Sequence, residues 1–477
     1  MTMTDACGYA VTLDDAAARD AWNACVTAFL AHGASTPQHL GATLAACPGF
    51  AMGHATMGFF QLLLGRRETV AAARAALARA SDAAAAGGAD ARERLFVAAL
   101  ETALSGRLSA AADQLDALLL RWPRDSLAMK LGHAIRFVLG DAAGMRRSVE
   151  AVADAFRDHP HAGYAAGCHA FALEETAAYD AAEARGRAGL ALAPDDAWGL
   201  HAVAHVYEMT ARPDDGVRLL VGATGQWAHC NNFGGHVWWH LALFHLDRGA
   251  TGPALALYDS KVRETKTDDY RDIANAASLL ARLEIEDVAV GARWDELAAL
   301  ASGRVGDGGN VFADLHYLMA LNGAGRTAEG ARLSERLALR DAAGAGDMAQ
   351  AAAEAGVPAA RGLCAFAAGA HRAAYSQLMQ AWRVLPRIGG SHAQRDVFMR
   401  LMVEAAMRGG LYDEAEAALG ARARNRRGVD PYTARRRDEI AALRMAAGAG
   451  QGAGQGAGQG ASQRADNAAS GASPLHA

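Results

Sequence analysis

Small and apolar positions along this chain fall three or four residues apart and are cut off by proline. Gly106-Arg107-Leu108 leads to Ala111, Leu115 and Leu118, and the pattern stops at Pro123. Tyr179 leads to Ala182, Gly186 and Gly189 before Pro194. Gly369 leads to Ala374, Leu378 and Ala381 before Pro386, and Gly410-Leu411-Tyr412-Asp413-Glu414-Ala415 starts the same way. That spacing is one face of an α-helix, and a proline ends it by removing a donor and clashing with the previous turn. Gly186 departs from the pattern, because a large residue is usual at its position.

A second set of helices precedes these. Trp198, His201, Ala202 and His205 fall at the W-x₂-L-G-x₂-Y positions of a tetratricopeptide repeat, as do Trp238, Leu241, Ala242 and His245. A repeat of this kind has about 34 residues, and a lone helical hairpin cannot bury its apolar face without a neighbour. The copies are irregularly spaced, and the segments Gly303–Asn310 and Arg340–Gly356 read as loops or insertions. The expected fold is all-α: a tetratricopeptide-like solenoid of degenerate helical hairpins over residues 21–445. Residues 1–20 form an N-terminal extension. Residues 446–477, where Gly-Ala-Gly-Gln recurs, read as a disordered tail with too little apolar surface to offset ordering entropy.

Composition agrees. The chain has 477 residues, 52% of them hydrophobic but only 6% aromatic, and much of the apolar fraction is alanine, the strongest helix former. The net charge of −5 gives no electrostatic case for a nucleic-acid partner. Six scattered cysteines (Cys7, Cys25, Cys47, Cys168, Cys230, Cys364) contain no C-x-x-C pair and read as free thiols of a reducing compartment. No signal-peptide pattern and no membrane-length apolar run are visible, so the expectation is a cytoplasmic protein with no membrane partner. A concave helical surface suits a protein or peptide partner, and the apolar ends of stacked repeats leave a homodimer open.

Several local motifs resemble the tetratricopeptide repeat protein 38 family. They are Phe50–His54, Ala170–Glu175, His201–Met209, Trp238–His245, Asp314–Met319 and Gly389–Phe398, which together span most of the helical region. The resemblance implies a helical repeat fold and carries over no catalytic residue. Relatives usually have Asn where this chain has His392, so His392 receives no functional role.

The candidate chemistry lies in two histidine pairs. His201–His205 and His236–His240 each have i,i+4 spacing, which puts both rings on one helix face. Glu208 extends the first stripe, and the loop between the pairs carries His229 and Cys230. If the two helices are neighbours, four imidazoles could converge as metal ligands, with iron or zinc the leading ions. Glu174 or Glu175, one hairpin upstream, could add an oxygen. The alternatives are a set of core histidines, each satisfied by one hydrogen bond, and a metal-free polar ligand pocket. Adjacent carboxylates project about 100° apart on a helix, so at most one of Glu174 and Glu175 is expected at a site.

Ser391 and Gln394 fit a capping box; Gln394, Arg395 and Asp396 could instead contact a ligand at a helix N-terminus, a natural anion site. Asp314 and His316 point to different faces. The basic run Arg422, Arg424, Arg426, Arg427, Arg435, Arg436, Arg437 reads as a solvated terminal helix or a patch for an anionic partner. No phosphate-binding loop, dinucleotide fingerprint or nucleophile elbow is present. Two functions remain: a binding scaffold or adaptor, or an enzyme whose solenoid closes around a central His/Glu site.

Overall fold

Alanine-rich stretches with few helix breakers should form helix after helix. They do so from Ala16 to Asn425 in the computed structural model, which describes residues 3–343 and 346–446. Short connections fold consecutive helices back as hairpins: Ala162–Glu175 with Tyr179–Leu192, Ala197–Met209 with Pro213–Gly222, Phe233–Asp247 with Thr251–Leu257. The single strand pair described, Met3–Thr4 with Ala10–Val11, belongs to the N-terminal segment. That segment is less separate than its sequence suggested. Cys7, Val11 and Leu13 are buried, Asp5 pairs with Arg92 at 2.6 Å, and the first helix starts at Ala16.

Arg340–Gly356 also departs from expectation. Helix Thr327–Ala343 extends into it, and a short helix, Asp347–Ala351, continues through a wider turn at Ala352–Gly356 into Val357–Ala367. Alanine's helix propensity outweighs the glycines there. The glycine- and glutamine-rich tail lies outside the described residues.

The two helices of a hairpin are buried to very different degrees. Every residue of Ala197–Met209 is buried, whereas Tyr179–Leu192 buries only Tyr179, Ala182, Gly186 and Gly189. A helix apolar all round is one enclosed on all sides. The inner helices meet that condition because they pack on their hairpin partners, on neighbouring repeats and across the lumen. The departure at Gly186 has a steric cause: a Cβ there would come within 2.6 Å of Val203.

Early and late repeats touch, so the superhelix closes on itself. Gly33 bridges Cys230, and Asn231 N donates to the His32 carbonyl at 2.8 Å. Ser109 donates to Asp347 at 2.8 Å, Arg304 pairs with Glu68 at 2.6 Å, and Arg427 N donates to the Met209 carbonyl at 2.9 Å. Gly140, which ends helix Ser126–Leu139 with φ +68°, sits where an added Cβ would lie 1.7 Å from the Pro386 carbonyl oxygen. Among the described residues, no helix is long and apolar enough to cross a membrane.

Gly140→Ala therefore meets both a left-handed backbone and a closure contact. Urea unfolding should show a loss of about 2–3 kcal/mol. Gly222→Ala, with nothing within 4 Å of its added Cβ, should be close to neutral. Equal stability of the two variants would mean that the Gly140–Pro386 approach is not a feature of the folded protein.

Candidate metal centre and adjoining cavity

The i,i+4 spacing works as expected on both helices. Ala197–Met209 presents His201 and His205, Phe233–Asp247 presents His236 and His240, and the four rings meet. His201 Nε2 lies 2.8 Å from His205 Nε2 and 3.0 Å from His236 Nε2. The His240 ring centroid is 4.5 Å from that of His205 and 4.8 Å from those of His201 and His236. One ring nitrogen from each of the four falls within 4.8 Å of the others, and all four residues are buried.

The far side of the cluster is held by other polar groups. His236 Nδ1 is 2.9 Å from Asn275 Oδ1, an acceptor that turns the Nε2 lone pair inward. His205 Nδ1 is 3.5 Å from Glu174 Oε2, and His240 Nδ1 is 3.5 Å from Glu208 Oε2. Three of the four imidazoles thus have a carboxylate or amide near Nδ1, the usual support for metal-bound histidine; His201 has none. Among the described residues, His201 Nδ1 and both ring nitrogens of His240 are buried without a hydrogen-bond partner. Each such group costs about 1–3 kcal/mol. His201, His205 and His236 each have at least one hydrogen bond, as core histidines would, whereas His240 has none among the described residues.

Charge is arranged to the same end. Burial, reinforced by the neighbouring imidazoles, lowers His201 and His236 well below the usual histidine range and brings His240 down to about 4. These rings are neutral at pH 7, the state in which imidazole binds a metal. Burial opposes ionisation of Glu174 and Glu208. His205 and His392 outweigh it for Glu174, His240 and Arg426 for Glu208, and both carboxyls sit at about 2.

Only Glu174 of the adjacent pair Glu174 and Glu175 turns to the clustered histidines, as expected of neighbouring carboxylates on a helix, but neither is a surface charge. Both are buried. Glu174 turns to His205 and His392, the latter at 3.3 Å. Glu175 turns to the start of helix His392–Arg408, where it accepts from His392 N at 2.6 Å and pairs with Arg395 at 2.9 Å. The two point different ways, as helix geometry requires, but this helix end is enclosed on both sides. The proposed anion site at that N-terminus is thus filled by the chain's own Glu175, and Arg395 serves that pair. The Ser391 capping box is present: Gln394 N donates to Ser391 Oγ at 3.3 Å, and Ser391 N to Gln394 Oε1 at 3.0 Å. Asp314 pairs with Arg336, and His316 Nδ1 contacts the Phe312 carbonyl at 2.7 Å, so the two have separate roles. His229 and Cys230 sit at the Ala31 carbonyl, at the ring closure and not in the cluster.

The basic run is neither solvated nor a surface patch throughout. Arg422 and Arg426 are buried; Arg422 meets Asp396 at 2.7 Å, and Arg426 meets Glu208 at 3.1 Å and Asp430 at 3.2 Å. Arg400 joins Asp396 at 2.8 Å and Asp247 at 3.1 Å. Arg436 meets Glu404 at 2.9 Å, and Arg435 meets Glu286 at 3.0 Å. Arg427, by contrast, is half exposed. The acidic partners lie far away in sequence, so no local pattern announces them.

A cavity of about 370 Å³ opens beside the histidines. Its wall includes His201 and His236, the aromatic rings of Phe60, Trp198, Phe233 and Phe312, and the polar groups of Lys130 and Gln394. Sequence reading missed Asn275 and Lys130; each is flanked by apolar residues, but their helices carry other polar side chains, so no local signal singles them out. It also passed over His392.

No family model matches the chain. Two solved structures of a human protein are similar to it, IFIT1 dimer with PPP-AAAA and IFIT1 dimer with m7Gppp-AAAA. Identity is 14% in both; 83% of this chain is covered, with 91% of the first and 90% of the second, at TM-scores of 0.37 and 0.32. At that level the ligands and the dimer are properties of the human protein alone. They lend no support to the expectation of no nucleic-acid partner, which rests on net charge.

Asp396 offers a test of the ionic wall behind the site. Burial alone would raise its carboxyl, but Arg422, Arg426 and Arg400 hold it well below the usual range. A depressed folded-state value means stability that is complete above the unfolded value of about 3.9 and lost as pH falls toward the folded one. Asp396→Asn leaves three arginines short of a partner and should cost about 3–5 kcal/mol at pH 7. It should also flatten the fall in unfolding free energy between pH 4 and pH 2. An unchanged acid limb would remove Asp396 from this role.

Proposed function

We propose that the chain is a metal-dependent protein whose four histidines hold a divalent transition ion at the wall of a small-molecule cavity. The observation that carries this is the convergence of His201, His205, His236 and His240 with Glu174, Asn275 and Glu208 behind them. A divalent ion brought into this dry interior would be balanced by the two carboxylates, with no ligand charge needed from the imidazoles. Neutral imidazoles with carboxylates close by suit iron(II) or zinc, the two ions we assign to the site. Structural zinc sites are closed, whereas His201 and His236 also line the cavity, so a ligand there can approach the ion. That is the arrangement of a catalytic centre.

The helical repeat architecture also serves the scaffold reading. Its lumen, however, is closed down to a cavity within the small-molecule range of about 300–1,000 Å³. The kinship we favour is with the tetratricopeptide repeat protein 38 family. The motifs carrying that resemblance supply Glu174, His201, His205, Glu208, His240 and Gln394 to this one region.

Metal analysis by ICP-MS of tag-free protein should find close to one iron or zinc per chain. His205→Ala and His240→Ala should each lose most of it while keeping the helical circular-dichroism signal. Stripped wild-type protein should regain the ion, with a higher melting temperature on reloading. Absence of metal before and after reconstitution with iron(II) or zinc would leave the scaffold as the better reading.

A further inference from the structure

Lys130 is a buried amine whose visible neighbours do not account for its charge. It sits on the inner helix Ser126–Leu139, 4% exposed, and lines the cavity. Its Nζ lies 3.8 Å from Cys168 Sγ and 4.6 Å from the centre of the Trp198 ring. Among the described residues it makes no ion pair within 4.0 Å. The acidic group that senses it is Asp196, which is buried against Gly167 and Gly199, and burial raises that carboxyl to about 7 in spite of Lys130. A cation–π contact and a thiol give a buried ammonium much less than a carboxylate would.

The surrounding wall shows the same incompleteness. His133, also buried and cavity-lining, has neither ring nitrogen bonded among the described residues. His32 stacks on Phe233 at 4.3 Å and on Trp198 at 5.5 Å, with Nε2 unpartnered. Trp198 in turn stands 5.0 Å from the ring of His201. An aromatic floor thus joins an ammonium at one end of the cavity to the histidine cluster at the other. Buried ring nitrogens that no described protein atom satisfies, and an ammonium whose partners are only a thiol and an aromatic face, line this apolar cavity and describe the polar end of a missing ligand.

We propose that this cavity takes a small apolar or aromatic molecule with a single carboxylate, held by Lys130, its other end directed at His201 and His236. The inference rests on reading the cavity as a small-molecule site, and it names the chemical class of the occupant. A carboxylate supplies the counter-charge that Lys130 lacks, and an apolar body fits Phe60, Phe137 and Trp198. A neutral molecule of the same shape would leave the ammonium unpaired.

The test is calorimetric titration of the full chain with 4-phenylbutyrate and with its neutral counterpart 4-phenyl-1-butanol. One 4-phenylbutyrate should bind per chain. Lys130→Met, which keeps the stem and removes the charge, should weaken it by about tenfold or more and leave the alcohol unchanged. Ala134→Phe should exclude both by filling the cavity. If Lys130→Met does not fold, the preference of wild-type protein for acid over alcohol still decides the matter. Equal binding of the two probes, or binding of neither, overturns the proposal. Running the titrations on metal-loaded and chelator-stripped protein separates the two readings. Lys130-dependent binding in protein that never holds metal supports the carboxylate site without the ion. Stoichiometric metal with no preference for the acid leaves the ion and removes the carboxylate site.

Discussion

Closing a superhelix on itself takes water out of its lumen, and each polar group on an inner helix must then find its partner within the protein. Most of this structure follows from that constraint. Inner helices such as Ala197–Met209 are buried on every residue, so their histidines and glutamates cannot be treated as surface decoration. Where the chain supplies partners, it does so across long sequence distances, as Arg426 does for Glu208 and Arg395 for Glu175. Where it does not, at His201, His240 and His133, the unmet nitrogens gather around one cavity and one point beside it, and Lys130 there has only a thiol and an aromatic face.

The ionic wall and the histidine cluster are parts of one electrostatic arrangement. Arg400, Arg422 and Arg426 surround Asp396, and Arg426 passes its charge on to Glu208, which stands behind His240. Glu174 is fixed between His205 and His392 in a similar way. Buried ion pairs of this kind contribute modestly to stability because desolvation offsets attraction. Their effect here is positional: they hold two carboxylates ionised behind the imidazoles, where a divalent cation would be balanced.

Much of this is legible in the sequence. Helical periodicity with proline stops gave the hairpins, and the i,i+4 histidines placed their rings on inner faces because a periodic signal survives local reading. Glu174 and Glu175 were harder. Their sequence is that of an exposed helix end, and only the return of helix His392–Arg408 encloses both. The arginines from Arg422 onward looked like a solvated run, since charge clustered in sequence says nothing of acids paired from Asp396, Glu404 or Glu286. Lys130 and Asn275 share their helices with other polar residues, so nothing local marks them out. Sequence cannot tell a core residue satisfied by a distant partner from one awaiting a ligand.

The central claim is that four imidazoles share one ion, and the most direct measurement is an anomalous-difference map from crystals of the protein, recorded on either side of the iron and zinc absorption edges. The account predicts one strong peak about 2.0–2.2 Å from ring nitrogens of His201, His205, His236 and His240, with Glu174 and Glu208 on the far side of the rings. Crystals of metal-supplemented protein with no peak there, the rings instead joined by ordered water or by each other, would contradict it.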